Sequence, residues 1–324
     1  MKEISKVKAF LKESLDSIIS ENNILKKIRH PFIANLYYSF QDRENIFLII
    51  DYLPGGNLRH YIANKNIFNE SQVKFIIANI ILSIEYIHNC NIIHRDLKPE
   101  NLLFDSEGYI HITDFGISKE LKEGQIINDI SGTPGYISPE VITNKPQNEA
   151  SDFFSLGIIT YELIFGVRPF IGNNKNEIAD NMMKKVINLN ENDIPENFSG
   201  DAGDFINGLL QKKNNYRLGS RGIDEIKNHE WLEDIDWTVI EYQNIDINKM
   251  PFIPILQDEN KNIIDDNDNN KIDKYNLILE KINREGYFNN FYFDYHEFKR
   301  RNKNQFTENR EQFDKDFFDE NDNY

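Results

Sequence analysis

One eight-residue string constrains the fold of this chain more than any other feature. It reads His94-Arg95-Asp96-Leu97-Lys98-Pro99-Glu100-Asn101, and it lies between a strongly apolar helical pattern at 70–89 and a hairpin pattern at 102–112. Asp114-Phe115-Gly116 follows at the far end of that hairpin, thirteen residues after Asn101. A charged loop with a chance tripeptide would not produce both strings at this spacing.

These residue types suit phosphoryl transfer from a magnesium nucleotide. One carboxylate, that of Asp96, can orient an acceptor hydroxyl. A second carboxylate, that of Asp114, can hold Mg²⁺ on the phosphates together with the side-chain amide of Asn101, because Mg²⁺ prefers oxygen ligands. The pair of motifs therefore predicts a nucleotide-dependent transfer site.

Composition excludes several other classes of protein. Lys and Arg number 37 against 53 Asp and Glu, a net charge of −16, whereas a nucleic-acid binder needs a basic footprint. The single cysteine, Cys90, allows no internal disulfide and fits a reducing compartment. Neither a membrane-spanning apolar run nor a secretory signal is visible, and we expect a cytoplasmic protein.

The order of patterns predicts an α+β chain in two parts. An amphipathic helix at 10–28 precedes two apolar runs, 33–40 and 46–53, that read as an antiparallel hairpin. From about 140 to 232 the pattern is helical, with an apolar helix at 153–165. We expect the acidic segment 257–270 to be disordered or surface-bound and the polar segment 299–324 to be disordered.

Further strings complete a resemblance to the eukaryotic protein kinases. Ser138-Pro139-Glu140 stands where that family has Ala-Pro-Glu. Other strings make the chain similar to the AGC group of Ser/Thr kinases, and they are Gly132-Thr133-Pro134-Gly135-Tyr136, Tyr216-Arg217-Leu218-Gly219, His229-Glu230-Trp231-Leu232, Ile235-Asp236-Trp237 and Pro251-Phe252-Ile253-Pro254. The resemblance covers about 1–298 and implies a two-lobed protein-kinase fold.

The resemblance implies an order of domains along the chain. A kinase domain at 1–232 consists of a small β-sheet lobe with a helix at 1–53 and a large helical lobe at 54–232. An AGC-type tail follows at 233–298, and the polar residues 299–324 end the chain.

The same resemblance assigns the catalytic residues. Asp96 is the base or orienter of the substrate hydroxyl, and Lys98 neutralises the transferring phosphate and favours Ser/Thr acceptors. Asn101 and Asp114 bind Mg²⁺, and Thr133 hydrogen-bonds near Asp96.

The start of the chain is similar to the end of the family's third strand. Lys2 stands where the ATP-anchoring lysine belongs, and Glu21, nineteen residues later, stands where its glutamate partner belongs. No Gly-x-Gly-x-x-Gly precedes residue 57, so we expect the chain to lack the phosphate-covering loop. Either a mis-assigned start codon or a genuine truncation would explain this, and an ordinary terminal lysine is the alternative for Lys2.

The remaining nucleotide contacts follow from the resemblance. Ile50 takes the gatekeeper position, and Asp51 and Leu53 belong to the hinge that reads the adenine. Leu103 underlies the ring, and Thr113 precedes the Mg²⁺-binding residue. Asn57 departs from the family's common acid at the ribose, so that contact is altered.

Two structural positions are expected to hold the large lobe together. Glu140 should pair with Arg217 as a buried ion pair, and Asp152 should brace the backbone of the catalytic loop.

Two control positions differ from the usual pattern. The activation-loop site that is normally phosphorylated falls on Asp129, whose carboxylate could pair with Arg95 and Lys119. The alternative is that Asp129 is a solvated acid in the loop with no such role. Phe288 and Phe291 resemble the AGC hydrophobic motif, with Tyr292 at the phosphoacceptor position, and they would dock beside helix 10–28. A generic aromatic core strand is the alternative.

Substrate selection is the last inference from the resemblance. Glu100 and Glu162 match acids that bind arginines upstream of the acceptor, which predicts a basophilic kinase. The apolar pocket for the following residue would consist of Ile130, Pro134 and Ile137.

The favoured function is therefore phosphorylation of Ser/Thr hydroxyls on protein substrates, with ATP and Mg²⁺, by a monomer. A non-catalytic kinase-fold interaction protein is the main rival, because the Gly-rich loop is absent from this chain. A small-molecule kinase is a more distant third.

Overall fold

The computed structural model describes residues 1–64, 68–122, 125–256 and 272–301. The chain divides into two units. The first unit contains 1–22, 35–51 and the described residues of 267–324, and the second contains 23–34 and the described residues of 52–266. The expected segment 257–270 and most of the expected segment 299–324 lie outside the described residues, but residues 299–301 are helical rather than disordered.

The secondary structure is mixed, as expected for an α+β chain. The strands are β1 (Lys2–Ser5), β2 (Leu36–Gln41), β3 (Asn45–Ile50), β4 (Ile92–Ile93), β5 (Leu102–Phe104), β6 (Ile110–Ile112), β7 (Lys119–Glu120) and β8 (Phe293–Asp294). The helices are α1 (Lys6–Leu11), α2 (Leu15–Leu25), α3 (Leu58–Ala63), α4 (Glu70–Asn89), α5 (Pro139–Ile142), α6 (Ala150–Phe165), α7 (Lys175–Lys184), α8 (Gly200–Leu209), α9 (Asp224–Lys227), α10 (Trp237–Glu241), α11 (Ile272–Glu285) and α12 (Tyr295–Arg301).

The first unit is built on an antiparallel sheet with the strand order β1-β3-β2-β8. The predicted hairpin is confirmed as β2 and β3, whose register shifts between Leu36 and Tyr38. Lys2 on β1 stands opposite Leu48 on β3. The short strand β8 pairs with the other side of β2, so that residues distant in sequence complete the sheet.

The single helix predicted at 10–28 is wrong in its bounds. The structure has α1 and α2, separated by a turn in which Glu13 adopts a left-handed backbone with φ of 54°. The N–H of Ser14 donates to the carbonyl of Ala9 at 3.0 Å and closes that turn, as at many helix C-termini. Because the apolar spacing continues through this turn, the sequence pattern does not indicate that the helix is interrupted.

The aromatic motif of the tail docks on the first unit. Phe288 and Phe291 are both 3% exposed, and their rings meet edge to face at 5.5 Å. Gln41 Nε2 donates to the carbonyl of Phe288 at 2.7 Å, and Ser39 Oγ donates to that of Phe291 at 2.9 Å. Both aromatics precede β8, which begins at Phe293.

The core of the second unit forms around α4 and α6. Asn69 and Gln72 form a capping box that starts α4, and the helix is then buried on most sides, as its sequence predicts. The predicted hairpin at 102–112 is confirmed as β5 and β6. At its turn, Asp105 Oδ1 accepts from the N–H groups of 107–109 at 2.8–2.9 Å.

Aromatic side chains near the end of the second unit also pack on its core. Phe252 contacts Tyr61 at 5.2 Å and Phe104 at 4.8 Å between ring centroids. Trp237 packs against a cluster that contains Phe32 and Tyr109. In the described part of the chain, no helix has the length and apolar character that a membrane crossing would need.

Phe291→Ala is expected to lower the free energy of unfolding by about 3–5 kcal/mol, because it removes a buried ring from a packed site. The matched control is Tyr292→Ala, which removes a ring that is 64% exposed and should change stability by less than about 0.5 kcal/mol. Chemical denaturation of both variants measures the difference. Equal losses from the two substitutions would contradict the docking described above.

Candidate active site

A fully buried carboxylate fixes the backbone of the loop that carries the first motif. Asp152, in the first turn of α6, is 0% exposed. Its Oδ2 accepts from the N–H of His94 at 2.9 Å, and its Oδ1 accepts from that of Arg95 at 2.9 Å. Burial alone would raise the pKa of Asp152, but the hydrogen bond from His88 and the charges and donors around it lower the pKa below its usual value.

The loop that Asp152 holds is strained. Arg95 has a φ of 72°, which is uncommon for a residue with a side chain. His88, at the end of α4, donates from Nε2 to Asp152 at 2.8 Å and so ties this helix to the same carboxylate. The sequence placed Asp152 at this position but provided no signal for His88.

Asp96 lies at the centre of a closed hydrogen-bond network. Lys98 Nζ donates to Asp96 Oδ2 at 2.5 Å and to Thr133 Oγ1 at 2.7 Å. The hydroxyl of Thr133 in turn donates to Asp96 Oδ1 at 2.7 Å. The three residues expected to act together on the acceptor hydroxyl are therefore in direct contact.

Asn101 and Asp114 present oxygen atoms for a cation. The amide nitrogen of Asn101 donates to the carbonyl of Asp96 at 3.0 Å, which leaves its Oδ1 as the available atom. Asp114 is exposed and has a φ of 63°, and among the described residues it accepts a 3.4 Å bond from the N–H of Gly116. Both the N–H and the hydroxyl of Thr113 donate to the carbonyl of Asn101, which joins the two motifs.

The residue after Asp114 is anchored in the core. Phe115 is 0% exposed, and its ring meets that of His94 edge to face at 4.9 Å. His94 Nε2 lies 3.1 Å from the carbonyl of Thr113. The first motif thus holds the backbone on both sides of Asp114.

On the first unit, the lysine and glutamate that were expected to pair are in contact. Lys2 Nζ donates to Glu21 Oε1 at 2.9 Å and to Oε2 at 2.8 Å. The glutamate side chain is 7% exposed and that of Lys2 is 40% exposed. The pair joins β1 to α2.

The expected adenine and ribose residues lie in both units. Ile50 ends β3, and the carboxylate of Asp51 accepts from Asn35 and from the hydroxyl of Tyr37, each at 2.8 Å. In the second unit Leu103 lies in β5 and is half-buried. Asn57, expected at the ribose, uses its Oδ1 to cap α3 by accepting from the N–H of His60 at 2.9 Å.

Asp129 is bound by both of the cations expected around it. Arg95 Nη2 donates to Asp129 Oδ2 at 2.6 Å, and Lys119 Nζ donates to Oδ1 at 2.8 Å. The hydroxyl of Ser131 also donates to Oδ2 at 2.7 Å. Partial burial would raise the pKa of Asp129, but the hydrogen bonds from Lys119, Arg95 and Ser131 together lower it well below its usual range.

Glu140 and Arg217 form a buried, two-pronged ion pair. Arg217 Nη1 donates to Glu140 Oε1 at 2.7 Å, and Nη2 donates to Oε2 at 3.0 Å. The two residues are 6% and 1% exposed. Burial would raise the pKa of Glu140, but the hydrogen bond and charge of Arg217 lower it below its usual value.

Glu100 and Glu162, expected to bind arginines of a substrate, both bind an arginine of this chain. Arg59 Nε donates to Glu100 Oε1 at 2.8 Å, and Arg59 Nη1 and Nη2 donate to Glu162 at 2.8 and 3.0 Å. No motif in the sequence distinguishes Arg59 from other arginines, and so no expectation included it. The residues expected to form an apolar pocket differ in exposure: Ile130 is 62% exposed, while Pro134 and Ile137 are half-buried.

Comparison with known proteins agrees with the fold and the motifs. The family model for the protein kinase domain matches residues 1–232. A probable serine/threonine-protein kinase of Dictyostelium discoideum is 40% identical over 255 residues, which are 78% of this chain and 54% of that protein. The serine/threonine-protein kinase sgk-1 of Caenorhabditis elegans is 35% identical over 301 residues, or 90% of this chain and 63% of the relative.

A plant relative agrees with these two. The serine/threonine-protein kinase AtPK2/AtPK19 of Arabidopsis thaliana is 37% identical over 247 residues, which cover 76% of this chain and 51% of the relative. The chain thus spans about half to two thirds of the length of the relatives it matches. The family model covers most of the chain, and the chain belongs to the protein kinase family.

Arg217→Gln is expected to lower the free energy of unfolding by about 3–5 kcal/mol, because Glu140 is left buried without its cation. The matched control is Arg221→Gln, since Arg221 is 86% exposed and its pair with Glu225 contributes at most about 1 kcal/mol. The pKa of Glu140 is lowered in the folded state, so the ion pair stabilises fully above the unfolded pKa of about 4.3.

That stabilisation is lost as the pH falls through the lowered pKa. The difference between wild type and Arg217→Gln should therefore shrink in acid, as urea denaturation at a series of pH values would measure. A difference that stays constant down to the lowest measurable pH would contradict the assignment.

Proposed function

We propose that this chain transfers the γ-phosphoryl group of ATP to Ser or Thr hydroxyls of protein substrates. The observation that carries the proposal is the network of Asp96, Lys98 and Thr133, in which both carboxylate oxygens are oriented by fixed donors. Catalysis of phosphoryl transfer depends mainly on positioning and charge, and a network of this kind provides both. The names of the relatives, all serine/threonine-protein kinases, support the same acceptor class.

The donor set on the second unit fits a magnesium ion. Asn101 Oδ1 and the exposed carboxylate of Asp114 are hard oxygen ligands, the type that Mg²⁺ takes. In the described residues no group of three His, Cys, Asp or Glu side chains could hold a metal ion. Two protein ligands are nevertheless sufficient for an ion that is also held by substrate phosphates. When bound, Mg²⁺ neutralises charge that develops on the transferring phosphoryl group.

The chain's own residues act on the acceptor hydroxyl. Asp96 accepts the hydroxyl hydrogen bond and orients the oxygen towards the phosphoryl group. Lys98, bound to both Asp96 and Thr133, holds a positive charge where negative charge accumulates. Thr133 fixes the second oxygen of Asp96, so that the carboxylate cannot rotate away.

Each unit by itself offers groups that a nucleotide could contact, which supports the assignment of ATP as donor. On the first unit Lys2, oriented by Glu21, supplies a cation for phosphate oxygens. In the second unit the backbone N–H of Leu53 forms no hydrogen bond with the described residues and can donate to a base. Ile50, Asp51, Leu103 and Thr113 retain the roles that the family resemblance assigns.

Asp129 replaces activation-loop phosphorylation in this proposal. Its carboxylate already binds Arg95, the neighbour of Asp96, and Lys119, the two cations that a phosphate would bind. Gln147 Nε2 also donates to the backbone carbonyl of Asp129 at 2.6 Å. The loop is therefore held without a phosphate, and a non-catalytic interaction protein would not require this arrangement.

Other expectations from the sequence stay predictions. These are the monomeric state and the cytoplasmic location, whereas a contact within the chain opposes the preference for upstream arginine. That preference depends on Glu100 and Glu162, whose carboxylates are both engaged by Arg59.

Asp96→Asn and Asp114→Asn should each reduce phosphorylation of a serine peptide by about a thousandfold or more, because one removes the orienter of the hydroxyl and the other a magnesium ligand. Asp234→Asn is the control, since Asp234 is 63% exposed and pairs only with Lys74. Transfer of labelled phosphate from ATP measures all three. The proposal fails if wild type transfers no more phosphate than the Asp114→Asn variant.

Asp129→Asn should lower kcat about tenfold, equivalent to about 1.4 kcal/mol, because Arg95 and Lys119 lose their common anion. Ser131→Ala removes a neutral donor from the same carboxylate and should have a smaller effect. Mass spectrometry of active wild type should detect no phosphate on the activation loop. Activity that depends on phosphorylated Ser131 would contradict the proposed role of Asp129.

A further inference from the structure

A single arginine satisfies two acids and a phenol in the second unit. Arg59 Nε donates to Glu100 at 2.8 Å, and both terminal nitrogens bind the two oxygens of Glu162 at 2.8 and 3.0 Å. Its Nη2 also donates to the hydroxyl of Tyr136, which in turn donates to Glu162 Oε2. This is the planar, two-pronged recognition of a carboxylate for which a guanidinium is suited.

Local structure directs Arg59 into this position. Asn57 caps α3, and Arg59 is the second residue of that helix. Tyr61 also stabilises the start of this helix, because its hydroxyl donates to the carbonyl of Gly55 at 2.6 Å. The Arg59 side chain is 28% exposed, and so its guanidinium is largely withdrawn from water.

The network pairs a deeply buried acid with a cation. The side chain of Glu162 is 4% exposed, and a carboxylate buried to this degree needs a cation bound to it. Burial and the adjacent Glu162 raise the pKa of Tyr136 above its usual range, so the phenol stays protonated as a donor. Two carboxylates against one guanidinium leave only one uncompensated negative charge.

Two residues of the network, Glu100 and Tyr136, are close in sequence to residues of the proposed acceptor site. Glu100 precedes Asn101, whose amide donates to the backbone of Asp96. Tyr136 donates from its N–H to the carbonyl of Thr133 at 3.0 Å, and Thr133 binds the carboxylate of Asp96. An extended substrate advances about 3.3–3.6 Å per residue, so residues a few positions from its acceptor can reach this region.

We propose that Arg59 is a specificity-determining residue, which occupies the acidic subsite of Glu100 and Glu162 and removes selection for arginine upstream of the acceptor. An incoming arginine would have to displace a guanidinium that is already bound at both carboxylates. The expected substrates are thus Ser/Thr segments that do not require basic residues at those positions. This inference rests on the proposed kinase function.

The test compares serine peptides that carry arginine or its neutral isostere citrulline at each of three positions upstream of the acceptor. For wild type, kcat/KM should differ by less than about fivefold between the two forms, the range of an exposed charge pair. Arg59→Ala should prefer arginine by about 30-fold or more at one position, because the buried Glu162 is then free to pair. Arg43→Ala, which removes an exposed arginine elsewhere, should behave as wild type.

If Arg59→Ala does not fold, Arg59→Lys provides a second variant for the same comparison. A lysine retains a cation for Glu162 but cannot bind both carboxylates, so the arginine preference should lie between those of wild type and Arg59→Ala. A strong arginine preference in wild type would overturn the inference. So would a variant that loses thermal stability without any change in the ratio, since that result describes a purely structural residue.

Failure of the kinase proposal is distinguishable from failure of this inference. If wild type phosphorylates no peptide beyond the Asp114→Asn background, the proposed function fails, and fluorescence anisotropy of the same peptides decides the inference. Equal affinity of wild type for the two peptide forms, with a preference for arginine in Arg59→Ala, supports it. A preference already present in wild type, or absent from both proteins, refutes it.

Discussion

The catalytic loop depends on one buried carboxylate that never needs to touch substrate. Asp152 accepts from the backbone N–H groups of His94 and Arg95, and the second of these residues is held in a left-handed conformation. Such a conformation persists only where the surroundings determine it. Because Asp96 follows directly, the orientation of its carboxylate depends on α6, a helix whose residues are almost all buried.

Three acids around the candidate site bind cations of this chain. Asp96 binds Lys98, Asp129 binds Arg95 and Lys119, and Glu140 binds Arg217. In a chain with a net charge of −16, these pairs place the few basic residues where acids are close together or buried. Asp114 differs from them, because no cation of the described residues binds its carboxylate, as a metal ligand requires.

Much of the site could be predicted because its chemistry is local in sequence. The catalytic string, the second motif and the spacing of Lys2 from Glu21 each specify residues that one loop, one hairpin or one strand–helix pair brings together. The break at Glu13 could not be predicted, since it depends on one left-handed residue within a continuous apolar pattern. Pairing of β8 with β2 joins residues about 250 positions apart, and periodicity carries no information on such partners.

Arg59 shows why matching acids to a family pattern does not by itself establish what they bind. Glu100 and Glu162 have the residue types and positions of a cation site, yet a site is available only if nothing within the molecule satisfies it first. A charged group two residues into α3 supplies that partner at no cost in translational freedom, whereas a substrate arginine must be brought from solution. The intramolecular cation therefore has the advantage in any competition for these two carboxylates.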